Sequence, residues 1–84
     1  MVKGYNSDLN IRGKSYHVQT EDWGAANPFL VSRVFANGAV VKTVKTSYTE
    51  ALRDGPVQDQ QALGLALRKQ HQNVIDQLHA GQIR

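Results

Sequence analysis

The chain has 84 residues, a formal net charge of +3, 40% hydrophobic and 20% charged residues, and no cysteine. That size supports one domain, residues 1–84, with one compact core; the lack of cysteine excludes disulfide scaffolds, thiolate metal sites and cysteine nucleophiles. No stretch approaches the roughly 18 apolar residues of a membrane span, and the first residues hold no apolar run of signal-peptide length, so a soluble, cytoplasmic protein without membrane contact is expected.

Residues 9–21 read as a first hairpin. Leu9 and Ile11 alternate with Asn10 and Arg12, and Tyr16, Val18 and Thr20 alternate with Ser15, His17, Gln19 and Glu21. A turn at Gly13-Lys14 would place Ile11 opposite Tyr16 and Leu9 opposite Val18, leaving the His17/Gln19/Glu21 face solvated. Residues 22–28 form a link punctuated by Gly24 and Pro28, with Trp23 expected to fold back over a core edge.

Residues 29–46 read as a second hairpin, closed by Asn37-Gly38, because a type I′ turn needs positive φ at both central positions. A regular ladder puts Phe29, Val31, Arg33, Phe35, Val40, Lys42 and Val44 on one face and Leu30, Ser32, Val34, Ala36, Val41 and Lys45 on the other. The Phe-bearing face is expected to hold more of the core. Arg33 then sits opposite Lys42, a like-charge pair that Glu21 or Asp22, a partner's carboxylate or a bound phosphate would offset.

Ser47-Tyr48-Thr49-Glu50 fits a capping box and predicts a short helix over 47–53, stopped at Gly55. Pro56 suits the first position of a long helix over 56–80, on which Leu63, Leu67, Val74, Ile75 and Leu78 form one apolar stripe. His71 falls on that stripe as a boundary histidine. Gly64 lies on the apolar side, which implies close approach to the sheet, while Leu65 falls outside the stripe. Gly81 is the expected C-cap, with His79 in the last turn. The fold class is therefore α+β: a four-stranded antiparallel meander packed by a C-terminal amphipathic helix.

No motif specifies a chemistry. The serines lie in no nucleophile elbow and no glycine-rich phosphate loop is present, so the protein is expected not to be an enzyme and to need no cofactor or metal. A small enzyme or metal protein around His17 and Glu21 is a second alternative, although four residues apart on a strand is roughly 13 Å, too far to share one ion. Residues 1–49 carry six Lys/Arg against three Asp/Glu, and residues 50–84 carry four against four. An anion- or nucleic-acid-binding surface would use Arg12, Lys14, Arg33, Lys42 and Lys45, but no aromatic platform interleaves with these charges in the sequence. The hairpin is apolar on both faces, which favours a protein–protein interaction or dimerisation module, an adaptor binding through Leu30, Val34, Val41 and Leu65.

Tyr16-His17-Val18-Gln19-Thr20-Glu21-Asp22-Trp23-Gly24, and the run Val34–Val41 continuing to Lys45-Thr46-Ser47-Tyr48, resemble segments of short uncharacterised bacterial proteins. The resemblance covers most of the chain. It implies a bacterial, cytoplasmic, stand-alone domain, and it brings no activity or site residues with it.

Overall fold

A computed structural model describes residues 4–52 and 60–82. Four strands, β1 (Gly4–Ile11), β2 (Lys14–Asp22), β3 (Phe29–Ala36) and β4 (Ala39–Ser47), form one antiparallel sheet in the order β1-β2-β3-β4. A short helix, α1 (Tyr48–Ala51), follows, and a long one, α2 (Gln60–His79), packs against the sheet. This is the α+β meander that the alternating pattern predicts. The expected stop at Gly55 and the start at Pro56 lie outside the described residues.

The first hairpin is longer than the pattern suggests, since β1 begins at Gly4. Its turn is Arg12-Gly13, with φ of 53° and 79°, rather than Gly13-Lys14. Ile11 therefore pairs with Lys14 and Leu9 with Tyr16. The register moves by two residues, so every side chain keeps its predicted face; only a one-residue slip would exchange them.

Such a slip occurs in the second hairpin. The turn at Asn37-Gly38 has φ of 54° and 78°, as a type I′ turn requires. Phe35 pairs with Val40, but Val34 pairs with Lys42, leaving Val41 as the extra residue of a β-bulge. From Lys42 onward β4 is turned over. Arg33 faces Thr43 and Val31 faces Lys45, so the predicted Arg33–Lys42 opposition does not exist, and Lys42 and Arg33 fall on opposite faces.

Which face is inside is also the reverse of the expectation. The face covered by α2 carries Leu30, Ser32, Val34 and Ala36, all buried, whereas Phe29 and Phe35 lie half-buried on the face that α2 does not reach. One helix covers one side of a sheet, and Leu30 and Val34, both at 0% exposure, fill it. They form core within a single chain and cannot present a surface to a partner.

The core falls into two apolar halves along α2. Leu63 and Leu67 pack with Leu30, Tyr48 and Leu52; Val74 and Leu78 pack with Ile11, Val18 and Val34. Between them runs a polar seam. His71 sits midway on the stripe, 6% exposed, with Nε2 at 2.8 Å from Ser7 Oγ and Nδ1 at 2.8 Å from Thr20 Oγ1. Thr20 meets Ser32 at 2.7 Å, and the Gln70 amide donates to Ser32 Oγ at 3.0 Å and to the Leu30 carbonyl at 3.2 Å. Every polar atom buried in this seam among the described residues has a partner, which is what makes burying it tolerable.

The helix ends follow local chemistry. Ser47 Oγ accepts the Glu50 amide at 3.1 Å, and the Glu50 carboxylate accepts from the Ser47 amide, closing the capping box. At the end of α2, Gly81 takes φ 75°; its amide donates to the Leu78 carbonyl at 3.1 Å and the Gln82 amide to that of Gln77 at 2.9 Å, a Schellman closure.

Gly64 does not mark a close approach. A Cβ added there meets nothing within 4 Å, because the position faces space beside the stripe. Only the helix-propensity cost of glycine remains, so Gly64→Ala is expected to raise stability by about 1 kcal/mol. Chemical denaturation checks this, and a loss of stability would restore the close approach.

Candidate binding face

The face of the sheet opposite α2 is the feature that the topology leaves unused. Its side chains are Asn6, Asp8 and Asn10 of β1, His17, Gln19 and Glu21 of β2, Phe29, Val31, Arg33 and Phe35 of β3, and Val40, Thr43 and Lys45 of β4. Val31 is buried there between Glu21 and Lys45 of the flanking strands. The rest is half-buried or exposed.

Trp23 is brought onto this face by the 23–28 loop. Asp22 Oδ1 accepts the Gly24 amide at 2.9 Å, Gly24 turns at φ 90°, and the Trp23 amide donates to the Phe29 carbonyl at 3.0 Å. The Tyr48 hydroxyl donates to the same Asp22 oxygen. Burial and the neighbouring Asp22 carboxylate push the Tyr48 phenol up to about 12, so this clasp between the loop and α1 stays protonated. Glu21 and Asp22 point to opposite sides of the sheet, as strand neighbours must.

The indole is 39% exposed rather than folded over the core, and cations surround it. Lys45 Nζ lies 5.2 Å from the Trp23 ring centroid and 4.1 Å from that of Phe29, and the Arg33 guanidinium carbon lies 5.8 Å from Trp23. Arg33 also reaches Glu21, at 3.7 Å. Further along, His17 tilts against Phe35 with centroids 6.0 Å apart, and its Nδ1 sits 2.8 Å from Asp8. Rings and cations are thus interleaved in space, although they are not so in sequence.

The predicted anion-binding set does not assemble as one surface. Arg33 and Lys45 come together at Trp23. Arg12 donates to the His79 carbonyl at 3.0 Å, where a cation complements the helix C-terminus. Lys14 lies 5.5 Å over the Tyr16 ring, and Lys42 stands beside Val34; both are on the α2 side. Of the predicted partner-binding residues, Val41 and Leu65 are exposed, Val41 at the bulge beside Val40 and Leu65 on the outer side of α2, away from the sheet.

Two other places were open to chemistry. His17 has Asp8 on its Nδ1, and no three His, Asp or Glu side chains among the described residues are grouped to hold a metal ion. A groove of about 260 Å³ runs between β4 and α2, lined by Val44, Thr46, Ala66, Gln70, Asn73 and Val74.

Trp23, Phe29 and Phe35 are the site residues that sequence reasoning placed elsewhere. The available signal is Arg33: a charge at the centre of a strand marks the solvent side, however aromatic its neighbours are. No family model, curated protein or solved structure matches the chain, and no helix among the described residues is long and apolar enough to cross a membrane.

Proposed function

We propose that the protein is a non-enzymatic binding module whose working surface is the open face of its sheet. One observation carries this reading: α2 packs on one side only, and the other side holds Trp23, Phe29, Phe35 and Val40 with no described element over them. A sheet face that carries aromatic and apolar side chains and has no described element over it is where a partner would seat. The seam supports a structural role for the one buried histidine, since both His71 nitrogens are already engaged, by Ser7 and Thr20, and none is left to serve a substrate. The surface predicted from Leu30 and Val34 is replaced by this one.

The test is capture from native extract on immobilised protein, with and without nuclease. A macromolecule retained by the wild type, and equally by Leu65→Ala, should be lost from the Trp23→Ala/Phe35→Ala double variant. Equal retention by the double variant would move the binding surface away from the sheet.

A further inference from the structure

We propose that the occupant of the open face is single-stranded nucleic acid, with unpaired bases stacking on Trp23 and Phe29 and the adjoining phosphates taken by Lys45 and Arg33. The inference rests on the open face being the working surface. Three physical arguments support it.

The first is the pairing of ring and cation at one spot. Lys45 lies within 5.2 Å of two ring centroids, and Arg33 shares one of those rings. Single-strand binders combine these elements: an aromatic face that stacks any base, and a flexible cation beside it for the backbone. The long Lys45 and Arg33 side chains rest over the rings and can swing outward when a base takes their place.

The second is charge. Around Trp23 two cations face one carboxylate, Glu21; the second carboxylate of the face, Asp8, sits at the far end on His17. Arg33 has Glu21 as its partner, whereas no carboxylate among the described residues pairs with Lys45, so an apolar protein surface docked on Trp23 would desolvate Lys45 without pairing it, which is costly. A second copy would bring two more cations to the same two-fold interface. A polyanion pairs with them.

The third is extent. Phe35, with His17 against it, gives a second ring station six residues along β3 from Phe29, roughly 20 Å away, on the same face. A strand of nucleic acid is long enough to use both stations.

The experiment is a fluorescence titration of the whole chain with an oligo(U) and an oligo(dT) of about twelve nucleotides. Trp23 is the one tryptophan, so quenching of its emission reports binding at this place directly. Two phosphate contacts to a single strand give a salt slope of about −1.4, so raising salt from about 50 to about 200 mM should weaken binding about sevenfold. Lys45→Ala should lower the slope by about 0.7. Trp23→Ala, followed by anisotropy of a labelled oligonucleotide, should weaken binding at least about fivefold through lost stacking. Glu21→Gln, which frees Arg33, should tighten it. A duplex of the same length should bind more weakly, because its bases are not free to stack.

Absence of quenching at about 50 mM salt, or binding that Trp23→Ala leaves unchanged, overturns the proposal. Light scattering on the same samples separates the two levels of inference. Self-association that shifts Trp23 emission, without oligonucleotide binding, rejects nucleic acid and retains the open face as the working surface. If extract capture also shows nothing lost with Trp23 and Phe35, both readings fail.

Discussion

Leu67→Ala is expected to lower the unfolding free energy by about 3 kcal/mol, whereas Leu65→Ala on the same helix should change it by no more than about 0.5 kcal/mol. Leu67 is 1% exposed and packs with Leu30, Tyr48, Leu52 and Leu63; Leu65 is 68% exposed. Truncating the first loses transfer energy and leaves a void that this half of the core cannot refill, because the polar seam bounds it on one side. A domain of this length is stable by roughly 4–12 kcal/mol, so the loss is a large share of the whole. Urea unfolding of both variants decides the matter. A cost at Leu65 comparable to that at Leu67 would mean that the outer side of α2 is covered.

The polar seam carries the second large effect. His71→Ala should cost about 3 kcal/mol, since it removes a buried ring, takes the bond that His71 makes to the Ser7 hydroxyl and leaves Thr20 with Ser32 alone. It should also alter how stability depends on pH. Burial lowers the His71 pKa below the ordinary 6.5, with the charge of His17 adding to the effect. The native ring therefore stays neutral at pH values where the unfolded one binds a proton. Stability from this group is complete above about pH 6.5 and is lost as pH falls below it, with a slope no steeper than about 1.4 kcal/mol per pH unit for one proton. The wild type minus His71→Gln difference in unfolding free energy, followed from about pH 8 to about pH 4.5, isolates this contribution from the other carboxylates and histidines. A difference that stays flat or grows toward acid would show that His71 is not held neutral.

These two effects come from different properties of one helix. Leu63, Leu67, Val74 and Leu78 bury apolar surface, which is non-directional and proportional to area. His71 and Gln70 bury hydrogen-bonding capacity, which is directional and is tolerated only when matched partner by partner. The matching groups, Ser7, Thr20 and Ser32, come from three different strands. The seam therefore ties α2 to β1, β2 and β3 in one register. Ser7 and Thr20 give no hint of this in sequence, where Ser7 falls before the predicted hairpin and Thr20 reads as an ordinary strand residue.

The sequence by itself determined the local structure. Alternation set β2 to β4 and the end of β1, Asn37-Gly38 set the second turn through its tolerance of positive φ, and Ser47 with Glu50 set the start of α1. The 3.6-residue stripe set the buried side of α2, and Gly81 its end. Each of these rests on contacts within a few residues, so a local pattern suffices to specify it. The tertiary structure decided which face of the sheet is inside and which side chains meet on the other. The bulge at Val41 shifts one strand by one residue, which turns Lys45 to the side of Arg33 and Trp23 and sends Lys42 away. Period-two alternation cannot foresee that, because both registers alternate equally well. Only the fit of Leu30 and Val34 beneath α2, with no helix among the described residues over Phe29 and Phe35, selects between them.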